Sequence, residues 1–314
     1  MPQETVLVTG GAGFVGSHLC DRLLADGAER VICLDNLSSG RAGNVAHLAN
    51  HPAFEFHEAD VTTLAPEAFP QADRIYHLAS RASPTDFEEH AFAIAEANTT
   101  GIRHALEAAE RMDARLLYTS TSEVYGDPLV HPQSEEYRGN VSIRGPRACY
   151  DVGKRFGETL VSMYRRQTGL DARTVRIFNT YGPRMRPGDG RVIPSFVSQA
   201  LAGDPLTIYG DGEQTRSFCY VDDLVEGLVR VMDAPDPPAP VYNLGSDAER
   251  SINDLARAVT ELTGHDAGVT YDPLPQDDPT QRRPDLTRIR TDLGWEPTTP
   301  LADGLLETID AFRS

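Results

Sequence analysis

The stretch from Val6 to Leu19, V-L-V-T-G-G-A-G-F-V-G-S-H-L, constrains the fold of this 314-residue chain more than any other. An apolar run, Val6 to Val8, stops at Gly10, Gly13 and Gly16, and an amphipathic pattern of Phe14, Val15, Leu19, Leu23 and Leu24 follows. A strand that turns sharply into a helix gathers backbone N–H groups and the positive helix end around one point, which suits a pyrophosphate. The three glycines then serve a tight turn, close approach of a ligand and close packing of helix on strand. Such spacing also arises by chance in loops, but here the context is the required one: strand before, helix after, and an acid, Asp35, closing the next strand (Val31 to Leu34) about 20 residues on. A carboxylate at Asp35-Asn36 accepts both ribose hydroxyls and repels a 2′-phosphate, which favours NAD over NADP unless Asp35 merely starts a turn. Asp60-Val61 follows the third strand where an adenine can be met, a placement that spacing alone does not decide.

Strand-like runs at 6–8, 31–34, 54–56, 75–78, 116–118 and 174–177 alternate with helical patterns at 14–27, 91–112 and 150–168. This βαβ alternation predicts an α/β fold, a Rossmann-type doubly wound parallel sheet with right-handed crossovers. After Ile177 the pattern loosens into loop chemistry, with further helices expected at 193–203, 221–232, 251–263 and 301–312. Asp233 to Pro240, D-A-P-D-P-P-A-P, is the most linker-like stretch. The expected division is a cofactor domain at 1–178 with a return segment at 218–244, and a smaller C-terminal α/β substrate domain made of 179–217 and 245–314.

The bulk properties exclude several classes. No run of 18 or more apolar residues exists, so no membrane span is expected, and the N-terminus lacks the basic start and apolar block of a signal peptide. Four scattered cysteines (Cys20, Cys33, Cys149, Cys219), without CxxC or Cys/His clusters, read as reduced buried thiols of a cytoplasmic protein rather than as a metal site. A formal net charge of −18 argues against nucleic acid as a partner. It also requires that an anionic substrate be met by arginines gathered locally.

Tyr150 and Lys154, in Y-D-V-G-K, share one helix face one turn apart. An ammonium beside a phenol is expected to lower the phenol pKa and make it a base near neutral pH. Such pairs also occur on ordinary helices. The preceding hydroxyl-rich strand end, Thr119-Ser120-Thr121-Ser122-Glu123, adds a group able to hold a sugar oxygen while NAD takes hydride.

With these residues in view, the chain resembles the extended short-chain dehydrogenases/reductases that modify nucleotide sugars. The resemblance is carried by the glycine turn, S-T-S-E-V-Y-G-D-P, G-P-R-A-C-Y-D-V-G-K-R, R-I-F-N-T-Y-G-P-R-M, D-G-E-Q-T-R-S-F and D-D-P-T-Q-R-R-P-D. It is densest toward the UDP-glucuronate decarboxylases and covers nearly the whole length.

The resemblance implies Tyr150 as base, Lys154 as its partner on the nicotinamide ribose, Thr121 as the hydroxyl, Glu123 near the sugar ring and Arg282 facing the reacting sugar. It implies NAD held by Gly10, Gly13, Phe14, Val15, Gly16, Asp35, Asn36, Asp60, Val61, Leu78, Ala79, Ser80, Asn98, Thr119, Tyr150 and Lys154. Arg81, Ser122, Asn179, Arg191, Tyr209, Arg216 and Arg282 would bind the UDP-sugar. The implied chemistry is oxidation at C4, loss of carbon dioxide from the resulting β-keto acid and return of hydride, without a metal. The 4,6-dehydratases have an Asp-Glu pair where this chain has Ser122-Glu123. The 4-epimerases usually lack a carboxylate there; a UDP-sugar 4-epimerase is the alternative, a non-catalytic NAD-binding sensor on the same scaffold the remote one, and Glu123 capping a turn the structural reading.

Three departures stand out. Arg81 interrupts the usual A-S-P-A-S-P, free either to pair with a carboxylate or to face solvent. Glu96 stands where the family tends to have a lysine, and His104 where it has an asparagine. His77 reads as the end of a buried strand rather than a base, and Arg282-Arg283-Pro284-Asp285 reads alternatively as a solvated turn. A homodimer is implied, with helices 91–112 and 150–168 pairing with their twins through alanine-rich faces (Ala91, Ala95, Ala105, Ala108, Ala109).

Overall fold

The computed structural model describes residues 4–237, 239–264, 267–274 and 281–313. Residues 277–280 of the D-D-P-T-Q-R-R-P-D motif and Pro238 of the linker-like stretch lie outside them. The first half runs β1 (Thr5–Thr9), α1 (Phe14–Ala25), β2 (Arg30–Asp35), β3 (Phe54–Glu58), β4 (Arg74–His77), α2 (Ala91–Glu96), α3 (Ile102–Met112), β5 (Arg115–Thr121), α4 (Ala148–Thr168) and β6 (Ala172–Ile177). The second half runs β7 (Thr180–Tyr181), α5 (Val192–Ala202), β8 (Leu206–Tyr209), β9 (Thr215–Ser217), β10 (Cys219–Tyr220), α6 (Val221–Asp233), β11 (Val241–Leu244), β12 (Glu249–Ser251), α7 (Ile252–Thr263), β13 (Val269–Asp272), β14 (Gln281–Arg282), α8 (Thr287–Leu293) and α9 (Leu301–Arg313).

Seven strands form one sheet in the order β11-β6-β5-β4-β1-β2-β3, and every pairing in it is parallel. Buried on both faces, its strands are near-continuous apolar runs rather than alternating ones. Along β1, Val6 and Val8 join the core under α1 and α6, while Leu7 joins the core under α3 and α4. The expected strands and long helices are found within a few residues. The linker-like stretch leads from α6 back into the sheet at β11, which pairs with β6. The strand order reverses between β1 and β4, which opens a crevice at the carboxyl ends of the strands.

The other strands make a β7–β10 pair, a β8–β13 pair and a three-stranded β12-β9-β14 sheet. Trp295, fully buried, donates from Nε1 to the Asp223 carbonyl at 3.1 Å. The Asp223 carboxylate accepts from Thr298 Oγ1 and the Thr299 N–H, both at 2.9 Å, which fixes the chain before α9 onto α6.

Three expectations need correction. The single helix at 91–112 is α2 and α3 joined by a π-turn at 97–101. Ala105, Ala108 and Ala109 are fully buried in the chain's own core, so they offer no face to a partner; the exposed apolar side chains of these helices are Phe92, Phe156 and Met163. Cys20, Cys33 and Cys219 are buried as expected, but Cys149 is half-buried; all four are unpaired.

Candidate active site

A cleft of about 430 Å³ opens over the carboxyl ends of β1 to β6. Its floor is the glycine turn. Gly10 takes a left-handed φ of +73°, and a Cβ there would lie 2.9 Å from the backbone of Leu78 and Ala79. At Gly16 a Cβ would stand 2.2 Å from the Gly10 carbonyl oxygen, so α1 sits against the turn only because this side chain is absent. Gly13 differs: its backbone is extended (φ −73°, ψ 178°), and its Cβ would approach nothing closer than that oxygen at 3.1 Å. It caps α1 without a side-chain hydrogen bond, leaving first-turn N–H groups aimed into the cleft. These features fit a pyrophosphate with an unobstructed approach.

Asp35 closes β2 at the cleft rim. Its Oδ2 accepts from the Ala12 N–H at 3.0 Å and its Oδ1 from the Leu37 N–H at 2.8 Å. Burial raises its carboxyl above the ordinary value, an effect these two bonds partly offset. A carboxylate offers about four acceptor positions, so capacity for ribose hydroxyls remains. Asn36 Nδ2 donates to Asp60 Oδ2 at 2.8 Å, and Thr62 donates twice to Asp60 Oδ1, so this corner is built before any base enters. Val61, Leu78, Ala79 and Ser80 line the same cleft. Asn98, expected to bind cofactor, does not line it; buried in the π-turn, it donates from Nδ2 to Ser80 Oγ at 2.9 Å. His77 is buried with Nδ1 2.9 Å from Thr9 Oγ1, and burial pushes its pKa down to about 3, so it is a core residue and not a base.

At the other end of the cleft Tyr150 lies buried, stacked on Phe87 with ring centroids 5.1 Å apart. Lys154, also buried, donates from Nζ to the Thr119 carbonyl at 2.8 Å, and its Nζ is 5.8 Å from the Tyr150 ring centroid. The expected lowering of the phenol pKa is not found. Burial drives Tyr150 up, and the groups pulling it back are the Thr121 hydroxyl, in hydrogen-bond contact, and the Arg191 charge. Burial acts on the lysine in the opposite sense and brings it down to about 7.

Glu123 is no turn cap. The Thr121 hydroxyl caps the turn by accepting the Glu123 N–H at 3.2 Å, while the carboxylate is clamped between two guanidinium groups. Arg147 Nη2 donates to its Oε2 at 2.7 Å and Arg282 Nη1 to its Oε1. Burial alone would raise Glu123; the two arginines outweigh it and hold the carboxyl at about 2. Arg282 is 3% exposed and lies on β14 opposite Arg216 of β9, which excludes a solvated turn. Gln133, fully buried, secures this segment: its side chain accepts the Arg283 N–H at 2.9 Å and its N–H donates to the Arg283 carbonyl at 2.9 Å. Ser122, Asn179 and Arg191 line the cleft, with Arg191 paired to Asp189. Arg216, Arg282 and Tyr209 lie outside its lining, Arg282 behind Glu123 and Tyr209 46% exposed on β8.

Sequence reasoning missed Arg147, Asp86, Arg186 and Asp189. Arg147 had a signal: three residues before Tyr150, it occupies the same helix face. Arg81 pairs with a carboxylate rather than facing solvent: its Nη1 donates to Asp86 Oδ2 at 3.1 Å and its Nη2 to the Ser38 carbonyl. Glu96 is exposed at the cleft rim.

A model of the NAD dependent epimerase/dehydratase family matches residues 6–245. UDP-glucuronic acid decarboxylase 1 of Xenopus tropicalis is 50% identical over 311 residues, covering 99% of this chain and 72% of that protein. UDP-glucuronic acid decarboxylase 4 of Arabidopsis thaliana is 49% identical over 308 residues, covering 98% of this chain and 68% of that protein. Among solved structures, UDP-glucuronic acid 4-epimerase from Bacillus cereus, in complex with UDP-glucuronic acid and NAD, aligns with a TM-score of 0.90 at 30% identity, over 98% of this chain and 99% of that one.

Proposed function

The chain belongs to the NAD dependent epimerase/dehydratase family, and from that premise we propose that it decarboxylates UDP-glucuronate to UDP-xylose with bound NAD. The observation that carries the reading is the buried Glu123 clamped by Arg147 and Arg282 beside Tyr150, in a chain near 50% identical to decarboxylases of this substrate. In this reading residues 1–178 with 218–244 hold the cofactor, and 179–217 with 245–314 hold the nucleotide sugar.

The glycine turn would receive the pyrophosphate, Asp35 and Asn36 the adenosine ribose, Asp60 and Val61 the adenine, and Leu78, Ala79, Ser80, Thr119 and Lys154 the nicotinamide end. Bound NAD supplies a hydride acceptor that becomes the hydride donor, so no net oxidant is consumed. What this chain contributes is proton handling and placement. Tyr150, with the Thr121 hydroxyl against it, takes the proton of the sugar 4-hydroxyl and later gives it back. Between these events the substrate is a β-keto acid: its carboxylate leaves as carbon dioxide, the bonding pair flows into the ketone, and a proton is taken up at the carbon left behind. Hydroxyls of Tyr150 and Thr121 stabilise the enolate oxygen. Glu123, ionised at every working pH, donates no proton; it anchors Arg282 at the reacting sugar. Ser122, Asn179, Arg191, Tyr209 and Arg216 would hold the rest of the UDP-sugar.

We also assign the protein to the cytoplasm as a homodimer. Its four unpaired cysteines suit a reducing compartment, and no described helix is long and apolar enough to cross a membrane.

Incubation with UDP-glucuronate and NAD, followed by mass spectrometry and NMR, tests the reading. Carbon dioxide with UDP-xylose is expected; UDP-galacturonate would replace decarboxylation by 4-epimerisation. Tyr150→Phe should cut turnover about 10²- to 10⁴-fold while NAD stays bound, and unchanged turnover would remove Tyr150 from the chemistry.

A further inference from the structure

We propose that Arg81 is a guanidinium clasp that closes the cleft across the glycine turn and keeps the dinucleotide from leaving between the two hydride transfers. The inference rests on the reading of the cleft as a dinucleotide site. Its core is topological. In the sheet β1 lies between β4 and β2. Arg81 follows β4, Ser38 follows β2, and the glycine turn follows β1. A hydrogen bond from Arg81 Nη2 to the Ser38 carbonyl therefore spans the carboxyl end of β1, over the point where the pyrophosphate would sit.

The clasp is anchored rather than loose. Arg81 Nη1 donates to Asp86 Oδ2 at 3.1 Å, with side-chain exposures of only 14% and 10%. The other oxygen of Asp86 accepts from Arg186 Nη2 at 3.1 Å, which brings the loop after β7 into the same knot. A parallel tie runs from Arg41 Nη2 to the carbonyls of Arg184 and Met185, at 3.2 and 3.3 Å. Two guanidinium groups thus share the Asp86 carboxylate, leaving a surplus positive charge at the mouth of a site for an anionic ligand. A pre-ordered guanidinium spends little further entropy in holding phosphate oxygens. A dinucleotide can leave the glycine turn only after the Arg81–Ser38 bond opens, so breaking the clasp should speed release more than it weakens the fold.

The test is the dissociation rate of NADH, followed by stopped-flow fluorescence during displacement by excess NAD, with the dinucleotide content of the purified protein as a second readout. Arg81→Ala should release NADH at least about tenfold faster than wild type and retain less dinucleotide on purification. Arg81→Lys, a single point charge, should fall between. Asp86→Asn, which removes the anchor and leaves Arg81 in place, should also speed release, and it carries the test if Arg81→Ala does not fold. Release at the wild-type rate from folded Arg81→Ala or Asp86→Asn would overturn the clasp alone. A wild-type protein that binds no NADH would instead overturn the reading of the cleft, and the clasp with it.

Discussion

Tyr150 and Lys154 stand one helical turn apart in the same buried site, and burial drives their proton affinities apart. The phenol is driven up and the ammonium down to about 7, so the phenol holds its proton far more firmly than the amine does, whereas on an exposed helix the two would be nearly equal. Glu123 escapes this fate because two guanidinium groups face it, and it stays ionised. Lys154 carries a measurable cost. In the folded chain its pKa is lowered from 10.5 to about 7, so between those values the unfolded chain holds the extra proton and stability rises with pH. Below about 7 the lysine is charged in both states, and the full penalty of burying that charge is present. Lys154→Met should therefore raise the melting temperature of the cofactor-free protein most at pH 6, with the gain shrinking steadily toward pH 10. A melting-temperature difference independent of pH would show that Lys154 does not titrate in this window.

The glycine turn works as a unit, and its three glycines fail differently. A methyl at Gly16 would drive into the Gly10 carbonyl at 2.2 Å, so Gly16→Ala should cost about 1–3 kcal/mol of stability and abolish dinucleotide binding together. Gly13 has an ordinary φ and its Cβ would meet only the Gly10 carbonyl oxygen, tightly at 3.1 Å, so Gly13→Ala should cost less stability than Gly16→Ala yet bind NADH far more weakly. Thermal melts with NADH titrations check both, and equal melting losses in the two variants would refute the division of labour. At this scale the sequence was most legible. β1, β2, α1 and α4 declare themselves because apolar runs and amphipathic periods are local signals. The π-turn at 97–101, α8 and β14 were not legible, since they depend on what packs against them. The same holds in the site. Tyr150, Lys154 and Asp35 were read from spacing, whereas the Glu123–Arg147–Arg282 clamp joins residues up to 159 positions apart. The Arg81–Asp86 clasp was hidden because nothing in A-S-R-A-S-P tells which carboxylate the guanidinium will meet.

For the whole molecule, charge and apolar surface are distributed to different ends. The chain carries a net −18, yet its cleft is lined by six arginines and Lys154 against six carboxylates, so an anionic ligand meets a locally balanced wall. The acidic excess lies elsewhere on the surface and opposes association, so any self-association must rest on an apolar face strong enough to offset it. The helices α2 and α4, which pack on one another, supply candidates: Phe92 is 89% exposed and Phe156 47%, and Met163 adds a polarizable thioether at 37%. Large exposed aromatic side chains on neighbouring helices mark an interaction surface more than scattered apolar residues do. If the homodimer forms there, Phe92→Glu with Phe156→Glu puts like charges on the twofold face. Light scattering after size-exclusion chromatography should then change from a dimer mass to a monomer mass, with the melting temperature of the monomer still measurable. A double variant that stays dimeric would move the interface away from α2 and α4, and a monomeric wild type would remove the dimer altogether.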